Sequence, residues 1–233
     1  VDERRAEEDA FTFDEVVVEL GGQRALDGLS ARVPAQGVTA LFGPSGSGKS
    51  TLLRLCNRLE VPTAGRVLFF GDDVADLDPL RLRRRVGMVF QRPTPFPGTV
   101  RDNLLTAAPA AGRADLERAL ERSALEGPWL DRDATVLSGG EAQRVCMART
   151  LVAEPEVLLL DEPSSALDEE ATAVLERAVR DLARQGITAV WVTHDPDQVR
   201  RVADRVLRIA GGRCVSEPPS PAPVDQEKGS PNG

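Results

Sequence analysis

The chain has 233 residues, of which 41% are hydrophobic and 28% charged, with a formal net charge of -8. That length supports one substantial core, or one core with a small subdomain, and the acidic balance argues against a nucleic-acid backbone as the main partner. No apolar run approaches the length of a membrane span, and the acidic start, Val1 to Ala10, is not of signal-peptide type, so any service to a membrane is expected to run through partners.

In chain order, residues 1–10 read as an acidic, flexible terminus. Val38 to Phe42 is a short apolar run of the kind that forms a strand buried on both faces. It leads into Gly43-Pro44-Ser45-Gly46-Ser47-Gly48-Lys49-Ser50-Thr51, a full G-x-x-x-x-G-K-[ST] motif. Its glycines let backbone N–H groups wrap a phosphate chain, and the helix that follows adds its positive end. Lys49 can reach the β- and γ-phosphates and the Ser50 hydroxyl can ligate Mg²⁺. Lys49 and Lys228 are the only lysines in a chain that otherwise uses arginine, so lysine here suits a compact charge for phosphate. The helix after Gly48 carries Leu52, Leu55, Cys56 and Leu59 at one-face spacing.

Arg81 and Arg83 to Arg85 form a cluster read as a solvated face, and Val86 to Phe90 is the next apolar run. Residues 101–135 are polar and helical in pattern, with Leu116 and Leu120 as a thin apolar stripe. They are expected to form a helical insertion, spanning about 92–152 with its flanks. Leu137-Ser138-Gly139-Gly140-Glu141-Ala142-Gln143-Arg144 opens another helix. Ser138 and Glu141 have capping-box spacing, which alone accounts for them. Two glycines in a first helical turn nevertheless cost roughly 1 kcal/mol each, and they permit close approach to exposed N–H groups. Val157 to Leu160 is an apolar strand ending in Asp161 and Glu162. Ligands of parallel sheets gather at the carboxyl ends of strands, so Asp161 is expected to hold Mg²⁺, directly or through water, and Glu162 to polarise an attacking water. Ile187 to Val192 is a further strand, and the proline-rich residues 216–233 read as a disordered tail. Cys56, Cys146 and Cys214 form no C-x-x-C and read as small buried hydrophobes of a reducing cytosol.

The combination of GPSGSGKST, LSGGEAQR and VLLLDEP, in this order and spacing, resembles the ABC transporter ATPase family over about residues 11–213. The resemblance extends to Gln91 after a strand, to Ser165-Ala166-Leu167-Asp168 after the acidic pair, and to His194, the only histidine, closing a later strand. It implies an α/β fold over 11–215: a P-loop NTPase core with a mostly parallel sheet, an N-terminal antiparallel β region and the inserted α-helical subdomain. It also implies ATP and Mg²⁺ as ligands and an ATP-dependent homodimer. In such a dimer Ser138, Gly139 and Gly140 of one copy face the γ-phosphate bound to the loop of the other. Glu162, His194 and Gln91 are then the expected catalytic residues, Ser50, Gln91 and Asp161 the metal residues, and Asp168 a messenger across the dimer. Arg92 to Asn103 is expected to feel separate transmembrane permease subunits at the cytoplasmic face of the membrane, with a solute-binding protein if the transporter is an importer. The run VGMVFQRPTPFPGTVRDNL resembles phosphate importer cassettes and also suits small cassettes linked to metal tolerance. One departure stands out: where the family places an aromatic against adenine, this chain has Leu20, with Phe11 and Phe13 as the nearby substitutes. The heptads or paired cassettes of non-transport ABC proteins, and the N-K-x-D element of GTPases, are absent from the sequence.

Overall fold

Residues 8–215 are described in the computed structural model, so the expected tail over 216–233 and the first seven residues lie outside the described residues. The order is β1 (Asp9–Leu20), β2 (Gln23–Pro34), β3 (Val38–Phe42), α1 (Lys49–Leu55), β4 (Ala64–Phe69), β5 (Asp72–Asp73), α2 (Pro79–Arg85) and β6 (Val86–Val89). It continues with α3 (Val100–Ala107), α4 (Arg113–Arg122), α5 (Gly139–Leu151), β7 (Val157–Asp161), α6 (Glu169–Arg184), β8 (Thr188–Thr193), α7 (Pro196–Val202), β9 (Arg205–Ala210) and β10 (Arg213–Cys214). The expectation of a flexible terminus over 1–10 is corrected at its end, since Asp9 and Ala10 already belong to β1 and Ala10 is fully buried.

Two sheets form. An antiparallel sheet runs β2-β1-β4-β5, and a six-stranded sheet runs β10-β9-β3-β8-β7-β6, parallel throughout except for β10. The apolar runs read from sequence become strands buried on both faces, and their residues alternate between two cores. Val157, Leu159, Val190 and Val192 face the first core, with β1, β2, β4 and α1. Leu158, Leu160, Ala189 and Trp191 face the second, with helices α3 to α7. Successive side chains of a strand point to opposite faces, so a run with no polar gap requires a covering layer on each side.

The inserted helices are present as α3 and α4. Thr99 caps α3 with a reciprocal capping box to Asp102, and Leu116 and Leu120 are buried as the thin stripe of α4. They pack into the second core together with Leu158, Leu160 and Trp191 instead of forming a core of their own. Two boundaries differ from the sequence pattern. Helix α1 stops at Leu55 and Arg58 turns the chain at φ 55, so Leu59 is exposed; β6 stops at Val89, leaving Phe90 exposed. Cys56 and Cys146 are buried as expected, while Cys214 is half-buried.

Helix α5 is seated against α6 at its first turn. A Cβ on Gly140 would stand 2.9 Å from the Ala171 Cβ, whereas one on Gly139 would meet nothing within 4 Å. The two adjacent glycines therefore have different reasons. Gly140→Ala is expected to be less stable than Gly139→Ala by about 1–3 kcal/mol, because only the former overpacks a helix contact; chemical denaturation of the two variants measures this. Leu158→Ala and Leu159→Ala are each expected to cost about 2–5 kcal/mol. A near-neutral result for either would mean that one face of the sheet is not a core.

Candidate active site

Parallel register brings four groups of the sequence-predicted residues to one edge. Val89 pairs with Leu160, Asp161 with Val192, and Phe42 with Thr193. Gln91, Asp161 with Glu162, His194 and Gly43 therefore leave β6, β7, β8 and β3 at the same, carboxyl-terminal edge, where open α/β sheets bind ligands.

The phosphate loop is held by backbone packing that only glycine allows. A Cβ on Gly43 would lie 2.0 Å from the Ile209 carbonyl oxygen, and one on Gly48, at φ 103, would lie 2.5 Å from the Ala25 carbonyl oxygen. The Ser47 carbonyl accepts a hydrogen bond from the Gly212 N–H at 3.1 Å. Strand β2 and the β9–β10 turn thus form the floor of the loop, and Pro44, Ser45 and Gly46 form its exposed rim. Lys49 is 4% exposed and its ammonium donates to the Gly43 and Pro44 carbonyls, both at 2.8 Å. Burial pulls its pKa below the ordinary lysine value, against the opposing pull of the Glu162 and Asp161 carboxylates. The Ser47 hydroxyl is buried and has no hydrogen-bond partner among the described residues. An orphaned hydroxyl and a desolvated ammonium around a curl of backbone fit a bound phosphate chain. Thr51 is half-buried on α1 behind them.

The Ser50 hydroxyl donates to Asp161 Oδ1 at 2.7 Å, and the Arg54 guanidinium lies 3.7 Å from Asp161 Oδ2. One hydroxyl and one carboxylate form the sparse donor set that Mg²⁺ uses when phosphate oxygens and water complete its shell. Glu162 has φ 45, a left-handed conformation that non-glycine residues seldom hold and that recurs at functional sites. Its Oε2 lies 3.5 Å from His194 Nδ1, with the imidazole 65% exposed. Gln91 is exposed on the loop after β6.

Ser138, Gly139 and Gly140 are not joined to the phosphate loop by any hydrogen bond among the described residues. Ser138 caps α5, its hydroxyl accepting from the Glu141 N–H at 3.3 Å while Glu141 Oε2 accepts from the Ser138 N–H at 2.8 Å. The Ser138 N–H and hydroxyl hold the Glu141 carboxyl below the usual carboxylate range. Asp168 caps α6, with Oδ1 accepting from the Ala171 N–H at 2.8 Å. Both residues are exposed at these helix starts.

Sequence reasoning missed two features. Gln143, fully buried inside the LSGGEAQR motif, donates from Nε2 to the Phe90 carbonyl at 3.0 Å and so ties α5 to the residue before Gln91; its place in the motif was the only signal. Phe11 and Phe13 are buried in the first core, Phe11 stacked on Phe69 at 5.1 Å, so neither is available to adenine. Leu20 is 45% exposed at the end of the β1–β2 hairpin, the same hairpin whose Ala25 carbonyl lies against Gly48.

The family model described as ABC transporter matches residues 26–165. The chain is similar to rice (Oryza sativa subsp. japonica) Protein STAR1, 45% identical over 208 residues that cover 87% of this chain and 60% of that protein's length. It is also similar to Phosphate import ATP-binding protein PstB 3 of Natronomonas pharaonis, 40% identical over 227 residues covering 87% and 81% of the two chains. Among solved structures, cbiO1 from Clostridium perfringens, described as part of the ABC transporter complex cbiONQ, matches with a TM-score of 0.83 at 30% identity. That match covers 91% of this chain and 88% of the other. A phosphate loop, an acidic pair and a closing histidine on one sheet edge accord with these similarities, and the chain belongs to the ABC transporter family as an ATP-binding ATPase subunit resembling the phosphate importer cassettes.

Proposed function

We propose that this chain binds and hydrolyses ATP between two copies of itself and so drives solute transport through separate membrane subunits, with inorganic phosphate as the solute. The observation that carries the reading is the convergence of Lys49, the Ser50–Asp161 pair and the Glu162–His194 pair on one edge of the sheet. Lys49 holds the β- and γ-phosphates of ATP in the loop Gly43 to Thr51. Glu162 orients and polarises the attacking water, and His194 contacts the γ-phosphate. Ser50, Asp161 and Gln91 would hold Mg²⁺, which would supply charge neutralisation on the phosphate oxygens.

The second copy completes the site. Ser138 and Gly139 are exposed at a helix start with open space before them, and a two-fold dimer places that start over the partner's phosphate loop. Asp168, exposed between Glu162 and α6, lies in the segment suited to report across that interface. ATP then joins the copies and hydrolysis releases them, a two-state switch.

A groove of about 510 Å³ beside the Gln91 loop supports docking of a membrane subunit. Its lining includes Leu59, Phe90 and Phe96, all exposed large hydrophobics, with the Arg149 guanidinium 4.5 Å from the Phe96 ring centre. Exposed apolar surface rimmed by charge marks an interaction site, and the groove includes part of the segment after Gln91. Among the described residues no helix is long and apolar enough to cross a membrane. A peripheral place at the cytoplasmic face, held by the membrane subunits, rests on the similarity to a phosphate import ATP-binding protein. Phosphate as the solute rests on the similarity to a protein named for phosphate import and on the run Pro93-Thr94-Pro95-Phe96-Pro97. An importer of this kind also implies a solute-binding protein.

Glu162→Gln is expected to leave ATP binding intact, slow hydrolysis at least ~10²-fold and trap an ATP-bound dimer. An ATPase assay with light scattering tests this, and near-normal turnover would sink the assignment of Glu162. In cells that carry this chain as their only phosphate cassette, the same variant should abolish high-affinity phosphate uptake; undiminished uptake would remove phosphate as the solute. Leu20→Tyr should tighten ATP by about 1 kcal/mol, because a ring offers the base a π-face that leucine lacks. It should tighten a ribose triphosphate without a base far less. Calorimetric titration of both ligands reads the difference, and equal tightening would mark Leu20 as a packing residue.

A further inference from the structure

Glu162 and His194 stand on loops after different strands, and their closest approach, 3.5 Å, is too long to lock one against the other. Something else must set their relative position. Beside them a cavity of about 560 Å³ is lined by Glu162, Ser164, Glu176, His194, Gln198 and Arg201, among others. We propose that Gln198 is a positioning residue for ATP hydrolysis, tying the strand that leads into His194 to the loop that follows Glu162. This rests on the ATPase reading of the site.

Gln198 lies on α7 and is 5% exposed. Its Nε2 donates to Ser164 Oγ and to Glu176 Oε1, each at 2.9 Å, and its Oε1 accepts from the Trp191 indole N–H at 3.1 Å. Both amide hydrogens are therefore committed, and a flipped amide would turn its oxygen against a carboxylate; only one orientation serves. Through these three bonds Gln198 grips the loop after Glu162, helix α6, and strand β8 three residues before His194. Glu176, itself 6% exposed, is fixed in turn by Arg201, whose Nε and terminal nitrogen donate to the two carboxylate oxygens at 2.8 Å each. The Arg201 guanidinium also lies 3.9 Å from Asp195, the residue after His194 and the cap of α7. A buried carboxylate needs such pairing, and a fully satisfied buried network has little freedom to shift. Gln198 touches no reacting atom; it acts through Ser164 and Trp191.

The test uses the full chain with Ser164→Ala, Gln198→Leu, the double variant and Ser164→Thr. Positioning predicts that kcat for ATP falls about 10-fold in each of the first two while the equilibrium Kd for ATP stays within about 2-fold. It predicts a double variant no slower than the slower single, and recovery of most of kcat in Ser164→Thr, which keeps the hydroxyl. Ser164 is only half-buried, so Ser164→Ala still decides the matter should Gln198→Leu fail to fold. A lowered melting temperature with normal kcat per bound ATP, or an equal loss in Kd and kcat, overturns the positioning role. Normal turnover in Ser164→Ala beside an inactive Glu162→Gln overturns this proposal alone, while an unaltered chain without ATPase activity overturns the site reading as well.

Discussion

Four parallel strands, β3, β8, β7 and β6, are buried on both faces, and the phosphate loop, the acidic pair, Gln91 and His194 all follow their carboxyl ends. Such strands hold position because each face has its own packing: Trp191 and Leu158 fit among helices, Val190 and Leu159 against α1 and the antiparallel sheet. Sliding one strand by a single residue would exchange these faces. It would also move Asp161 off the level of Ser50 and His194 off the level of Glu162. The level at which each of these residues leaves the sheet is therefore set by hydrophobic packing in two layers.

The phosphate loop shows the opposite economy, with backbone at close quarters and charge under tension. Gly43 and Gly48 let the loop press onto Ile209, Ala25 and Leu26, where any side chain would collide. Inside it Lys49 keeps its ammonium on two carbonyls, a partial replacement for the water that burial removes. Phosphate oxygens are stronger partners for that ammonium than neutral carbonyls.

Helix caps carry a second theme. Ser138 and Asp168 each satisfy orphan N–H groups at the start of a helix inside their own chain. The same placement puts both at exposed helix starts on either side of the close contact between Gly140 and Ala171. A structural role and a role toward a partner copy are compatible here, because the cap uses one face of the residue and leaves the other open.

The elements that the sequence by itself determined are those whose signal is local. A glycine-rich turn between an apolar run and a helix, two acids at a strand end and a lone histidine after another strand are each written within about ten residues. The same holds for the unbroken apolar runs of β7 and β8, which are buried at every residue, and for the capping box at Ser138 and Glu141, which the hydrogen bonds reproduce. What lay beyond reach was decided by contacts between distant segments. Leu59 and Phe90 fit an apolar pattern yet lie past the ends of α1 and β6 at a groove, because nothing local says where an inner face stops. Phe11 and Phe13 are the rings nearest Leu20 in sequence, and only the burial of both, with Phe11 stacked on Phe69, commits them to the core instead of adenine. Gly139 and Gly140 are one dipeptide in sequence, and only the approach of α6 separates their roles. Gln143 reaches 53 residues back to Phe90 and Gln198 reaches 34 back to Ser164. A polar side chain carries no mark of the partner it will meet; burial forces a hydrogen bond to form, and the fold chooses with whom.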